Sequence, residues 1–117
     1  MKNKTLSLCI TCYDGDYHLL NALLNECKKQ TVVPDEIIIS SSGVKEESLL
    51  GINTIKIKGE NVPVISVNFL ERHSEGRARN EGGIKSNMDI IQFFDVDDIP
   101  HPQRIEITKT VFENNNC

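Results

Sequence analysis

The chain has 117 residues, enough for one domain with its own hydrophobic core but too few for two. Hydrophobic residues make up 38% and charged residues 26%, the balance of a soluble globular protein, and no run approaches the roughly 20 apolar residues that a membrane span needs. The net charge of −4 argues against general binding to nucleic acid or anionic membranes, because both need a basic surface. No signal peptide is recognised at the N-terminus, so we expect a cytoplasmic location.

The first predicted element is a strand over residues 6–12, where apolar and small polar residues alternate. This strand contains Cys9 and Cys12, whose spacing resembles that of a redox or metal-binding pair. Side chains three residues apart on a strand point to opposite faces, and the chain has no second such pair to complete a zinc site. We therefore discount a redox or zinc role for these thiols.

A helix is predicted next, from Tyr17 onward. Its N-cap is expected at Asp16, and Pro34 prevents continuation beyond residues 31–33. The apolar residues that recur at helical spacing are Leu19, Leu20, Leu23, Leu24 and Cys27.

The middle of the chain contains further predicted strands. Residues 36–40 are rich in β-branched side chains and predict a buried parallel strand, which residues 41–43 close as a loop. A helical turn is predicted over residues 45–50. An edge-like strand over residues 54–58 and another strand over residues 63–69 follow.

The last third begins with a predicted helix over residues 76–86 and an apolar strand over residues 89–94. A final helix starts near Pro102, and its predicted apolar face consists of Ile105, Ile107, Val111 and Phe112. Strands that alternate with helices imply a mostly parallel sheet with flanking helices, so we assign the chain to the α/β class. In such sheets ligands gather at the carboxyl ends of the strands.

An acidic cluster, Asp95, Asp97 and Asp98, follows the last predicted strand. If the strand persists, Asp95 and Asp97 share one face while Val96 points into the core. Carboxylates this close repel one another, and a hard cation such as Mg²⁺ or Mn²⁺ relieves the repulsion and can bridge to phosphates. On these residues alone, a solvated acidic turn is an equally good interpretation. A haloacid-dehalogenase-like phosphatase would need further motifs downstream, and a calcium loop would need a glycine and more oxygen ligands.

Four segments in order resemble the inverting family-2 glycosyltransferases of the GT-A fold. Residues 10–14, Ile-Thr-Cys-Tyr-Asp, resemble the strand end that contacts the nucleotide base in that family. Residues 35–43 resemble its second strand, although Ser41 and Ser42 stand where the family has an acidic pair. Residues 76–82, Gly-Arg-Ala-Arg-Asn-Glu-Gly, are similar to its Ala-Arg-Asn-x-Gly helix, and residues 93–102 resemble its Phe-Leu-Asp-Ala-Asp-Asp run and proline-led helix. The resemblance implies a Rossmann-like nucleotide-binding half of a GT-A domain.

This resemblance also implies a site for a nucleotide-sugar donor with Mn²⁺ or Mg²⁺. Asp97 would be the main metal ligand, and Asp98 would be a second ligand or a helix cap. Arg79 would contact phosphate, because its planar fork matches phosphate oxygens. Without the resemblance, Arg79 would be interpreted as an ordinary solvated helix residue. The implied residues are Thr11, Tyr13, Asp14, Ser41, Arg79 and Asp95 for the nucleotide sugar, and Asp97, Asp95 and Asp98 for the metal.

The catalytic base of the family lies well beyond the metal motif, and no residue of this sequence matches it. We therefore expect residues 1–117 to form a single truncated or minimal domain, which binds the donor and completes its site with a C-terminal half or by oligomerisation. The acceptor is unknown. The alternative is a non-catalytic module of the same fold that binds nucleotide or protein partners without sugar transfer.

Overall fold

The computed structural model describes residues 4–13, 19–42, 53–69 and 75–115. These residues form a five-stranded sheet in the order β3-β4-β2-β1-β5, in which β3 is antiparallel to its neighbour and the other strands are parallel. The α/β class and the mostly parallel sheet are therefore confirmed. None of the described helices combines the length and the apolar character that a bilayer crossing requires. The elements are β1 Leu6–Tyr13, α1 Leu20–Cys27, β2 Glu36–Ser42, β3 Thr54–Ile57, β4 Glu60–Phe69, α2 Glu75–Ile84, β5 Ile90–Asp95 and α3 Arg104–Asn115.

β1 lies inside the sheet between β2 and β5, and helices cover both of its faces. On one face Ile10 and Cys12 join a buried core with residues of α1 and α3 such as Leu23 and Ile105. On the other face Cys9 lies beneath α2. Side chains alternate along a strand, so the two cysteines of β1 point to opposite faces, as predicted.

The helix α1 begins after Leu19, which occupies its N-cap position without a side-chain hydrogen bond. The predicted N-cap, Asp16, lies outside the described residues. The helix ends at Cys27, before the limit set by Pro34. Turn bonds follow this end, from the Lys29 N–H to the Glu26 carbonyl at 3.0 Å and from the Gln30 N–H to the Cys27 carbonyl at 3.2 Å.

β2 is longer than predicted, since Ser41 and Ser42 belong to the strand and not to a loop. Pairing with strands on both sides extends it: Ser41 lies opposite Cys12 of β1 and Asn68 of β4. The helical turn predicted over residues 45–50 lies outside the described residues.

The edge position of β3 is confirmed, and β4 begins before its predicted start at Pro63. Lys58 and Gly59, with φ angles of 51° and 83°, form a two-residue turn that joins β3 to β4. Positive φ at both central residues of the turn matches the twist of an antiparallel hairpin. The tight turn therefore lets β4 pair with β3 from Glu60 onward.

α3 begins at Arg104, just after Pro102, as predicted. The prediction of its apolar face is only partly correct. Ile105 is buried and Phe112 packs against the core, but Ile107 and Val111 are 54% and 49% exposed. Residues seven apart share a helix face, whereas Ile107 lies on the opposite side from Ile105.

Candidate functional site

The carboxyl ends of three neighbouring strands meet at one edge of the sheet. The central strand β1 pairs with β2 on one side and β5 on the other, which places Thr11 opposite Asp95 and Cys12 opposite Ser41. The polar strand ends recognised in the sequence are therefore brought together. This is the edge at which ligands bind in parallel α/β sheets.

Three elements converge on the carboxylate of Asp95. Thr11 of β1, which is only 3% exposed, donates its hydroxyl proton to Asp95 Oδ1 at 2.9 Å. Arg79 of α2 places Nη2 at 3.2 Å from Oδ1 and 3.4 Å from Oδ2 of the same carboxylate. Asp95 therefore connects β1, β5 and α2 at the edge of the sheet.

Residues 95–98, here called the aspartate turn, form a compact turn at the end of β5. The Asp98 backbone N–H donates to the Asp95 carbonyl at 2.9 Å, and Asp98 Oδ2 accepts from the Asp95 backbone N–H at 2.8 Å. Val96 is buried in the core, as predicted, and its N–H donates to the Thr11 carbonyl at 3.1 Å. Because α3 begins only at Arg104, the Asp98 carboxylate caps this turn and not that helix.

The aspartate turn also contains a donor set that fits a hard divalent cation. Carboxylate oxygens of Asp95, Asp97 and Asp98 all lie within 4.8 Å of one another. Asp97 is exposed, and within the described part of the chain no hydrogen bond or ion pair engages its carboxylate. Carboxylate oxygens are ligands that Mg²⁺ and Mn²⁺ prefer. The residues can therefore hold one such ion, although they do not distinguish between the two metals.

Two clefts flank these residues. An open cleft of about 450 Å³ lies on the α2 side, and a smaller one of about 270 Å³ separates the aspartate turn from α1. A cleft of several hundred Å³ is the usual size for a small-molecule site. The larger cleft is lined by Arg79, Asn80, Gly83, Ile84 and Phe93, and the smaller one by Leu19, Ala22, Leu23, Glu26, Val96, Asp97, Asp98 and Ile99.

The thiol of Cys9 lies near this site but is not ionised at neutral pH. Burial raises its pKa to about 12, although the positive charge of Arg79 opposes the shift. Burial also raises the pKa of Cys27 to about 12, with a smaller contribution from the nearby Glu26 carboxylate. Thiolates, and not thiols, act as nucleophiles and metal ligands, so neither side chain is primed for those roles.

The other residues implied by the sequence are placed as follows. The Ser41 side chain is fully buried, and its hydroxyl donates to the Val67 carbonyl at 3.4 Å. Tyr13 is the last residue of β1 and pairs with Ser42, while Asp14 lies outside the described residues.

The binding of both Thr11 and Arg79 to Asp95 was not predicted. The available signal was that Thr11 and Asp95 lie at or near the carboxyl ends of two apolar strands, but the register between those strands is a tertiary property. Asn80 was also missed as a cleft residue, because one amide on a polar helix carries no signal of its own.

Comparison with known proteins identifies the family. The family model described as glycosyl transferase family 2 matches residues 7–117. The matched range starts at the second residue of β1 and includes the other described strands, α2 and the aspartate turn. A search of curated proteins found no match. The family match agrees with the parallel sheet and with the Rossmann-like GT-A half that the sequence implied. The chain therefore belongs to glycosyl transferase family 2.

Proposed function

We propose that this chain binds a nucleotide-sugar donor together with Mn²⁺ or Mg²⁺ at the aspartate turn, and that it serves transfer of the sugar with inversion. Membership of the family supports glycosyl transfer in general. One observation supports the finer proposal most strongly: exposed Asp97 lies beside Asp95 and Asp98, and Arg79 is held at the same edge of the sheet. Carboxylates for a cation and a guanidinium for phosphate are the two groups that a diphosphate requires.

The metal is assigned mainly to Asp97. Its carboxylate is exposed, whereas the carboxylates of Asp95 and Asp98 already accept hydrogen bonds from the protein. Asp98 places a second carboxylate oxygen within 4.8 Å of the Asp97 carboxylate. A bound divalent cation would stabilise negative charge on the departing nucleoside diphosphate as a Lewis acid.

Phosphate binding by this chain needs local positive charge, because its net charge is −4. Arg79 is the proposed contact, since it lines the larger cleft and lies within 3.2 Å of the aspartate turn. The nucleoside is assigned to the carboxyl end of β1, near Tyr13 and Asp14. Thr11 and Ser41 are buried, so we assign them to fixing the strand ends beneath the nucleotide.

Isothermal titration calorimetry with UDP, GDP, ADP, CDP and dTDP, each with and without Mn²⁺, tests this function. We expect at least one nucleotide to bind, and to bind more tightly when Mn²⁺ is present. Absence of metal-dependent binding across the panel would contradict the proposal. Retained binding without sugar transfer to any acceptor would instead favour a non-catalytic module.

Asp97→Ala should weaken nucleotide binding in the presence of Mn²⁺ by about tenfold or more, because the loss of an ionic ligand costs at least about 1.4 kcal/mol. Binding without Mn²⁺ should stay the same. The fold should remain intact, since the side chain is exposed. Glu60→Ala is the matched control: it removes one exposed carboxylate at the hairpin, at the opposite end of the sheet. If Asp97→Ala binds like wild type, the metal assignment is wrong.

A further inference from the structure

Arg79 and Asp95 form an ion pair at the edge of the candidate site. Arg79 reaches both oxygens of Asp95 through a single nitrogen, Nη2, at 3.2 and 3.4 Å. A guanidinium has five N–H donors in a planar fork, so one edge can bind a carboxylate while another edge binds a phosphate. The contact therefore orients Arg79, which also lines the larger cleft.

Asp95 is itself held in place from below. Thr11 is buried and donates to the same oxygen, Oδ1, that receives Arg79. Thr11 and Asp95 are also register partners in the pairing of β1 with β5, and the Asp95 backbone N–H is bound by Asp98. The carboxylate is thus held at the ends of two paired strands and can orient a longer, more flexible side chain.

The three carboxylates of the aspartate turn consequently differ in what already binds them. Asp95 accepts from Thr11 and Arg79, and Asp98 accepts from the backbone of Asp95. Asp97 is exposed and, among the residues that the structure describes, accepts no hydrogen bond. A ligand engaged by a positive guanidinium is a poorer partner for a cation than one open to solvent.

We propose that Asp95 is a positioning residue, which orients the Arg79 guanidinium for the donor diphosphate and leaves metal binding to Asp97. This inference rests on the proposed donor-binding function and refines it. Arg79 and Asp95 have 44% and 37% exposed side chains, so their pairing is weak enough for Arg79 to adjust when phosphate binds. Its contribution lies in restricting the flexible arginine before the ligand arrives.

A double-mutant cycle tests the proposal. Asp95→Asn keeps the shape of the side chain and an oxygen that can accept from Thr11, but it removes the charge that holds Arg79. Binding is measured with the tightest-binding nucleoside diphosphate of the panel and saturating Mn²⁺. We expect Asp95→Asn to weaken this binding about fivefold, because Arg79 is then no longer oriented before the ligand binds. Arg79→Gln should weaken binding at least as much, and the double variant should be no weaker than Arg79→Gln.

The metal is followed separately, by electron paramagnetic resonance of Mn²⁺ added to nucleotide-free protein. Asp95→Asn should bind Mn²⁺ like wild type, whereas Asp97→Asn should not. Thermal unfolding confirms that each variant is folded; if Asp95→Asn is not, Thr11→Val provides a second cycle, because it removes the donor that fixes Asp95.

The outcomes separate the two proposals. Additive losses in the double variant, loss of Mn²⁺ binding in Asp95→Asn, or tighter nucleotide binding in that variant would overturn the positioning role alone. Absence of nucleotide binding in the wild type would overturn the donor-binding function, and the positioning role with it.

Discussion

Gly82 marks a point where α2 contacts the sheet with no room for a side chain. A Cβ atom added there would overlap Cys9 Sγ and lie 3.2 Å from Ser40 Cβ. Alanine favours a helix over glycine by about 1 kcal/mol, but overpacking in a filled core costs about 1–3 kcal/mol. Because the overlap is severe, we expect Gly82→Ala to lower the free energy of unfolding by about 1–2 kcal/mol. Urea denaturation measures this change.

Gly83 is the matched control for that substitution. A Cβ added there would meet Ile91 at 3.8 Å and Phe93 at 3.9 Å, which are ordinary contacts. Gly83→Ala should therefore keep or raise stability. Cys9→Ala should recover part of the loss in Gly82→Ala, since it removes the overlapping sulfur. Equal stability of the two alanine variants would show that the close approach of α2 is not important.

At the scale of elements, the buried amide of Gln30 joins the chain after α1 to the start of α3. Its Nε2 donates to the His101 carbonyl at 2.8 Å, and its Oε1 accepts from the Ile105 backbone N–H at 3.0 Å. The second bond satisfies one of the unpaired N–H groups in the first turn of a helix.

Gln30→Met should cost about 1–3 kcal/mol of stability, because it leaves the buried N–H of Ile105 without a partner, whereas the His101 carbonyl keeps its bond from the Arg104 N–H. Hydrogen exchange should also become faster at the Ile105 amide. Gln103→Met, at a neighbouring exposed position, should change stability by less than about 0.5 kcal/mol. Unchanged exchange at Ile105 in Gln30→Met would argue against this connection.

The elements themselves were largely predictable from local patterns. Alternation identified β1, β-branched residues identified β2, and apolar spacing identified α1, because each pattern reflects burial on one or two faces. The exception at β2 depends on tertiary contacts, because strands on both sides extend it through Ser41.

The composition and location of the candidate site were also predictable, but its internal contacts were not. Its residue types and its place at the strand ends followed from the order of motifs and from the rule for parallel sheets. The binding of Thr11 and Arg79 to Asp95 did not, because it requires the register of β1 against β5 and the height of α2 above the sheet. The different hydrogen-bond partners of Asp95 and Asp97 could not be predicted either, because both are aspartates of the same short segment and their partners come from other elements.

For the molecule as a whole, the order of the strands determines where chemistry can occur. β1 lies between β2 and β5, so the carboxyl end of the sheet gathers Thr11, Arg79 and the aspartate turn at one place. The hairpin of β3 and β4 turns at the opposite end. With a net charge of −4, the chain needs a local positive group to attract an anionic ligand, and Arg79 supplies one beside the aspartate turn.

Paramagnetic broadening by Mn²⁺ in two-dimensional amide NMR spectra locates the metal directly. With Mn²⁺ and the tightest-binding nucleoside diphosphate together, we expect the amide signals of Thr11 and Asp97 to disappear, while those of Lys58 and Gly59 at the hairpin remain. Mg²⁺ in place of Mn²⁺ is the diamagnetic control. Broadening centred on the opposite end of the sheet, or none at the aspartate turn, would contradict a metal-dependent donor site there.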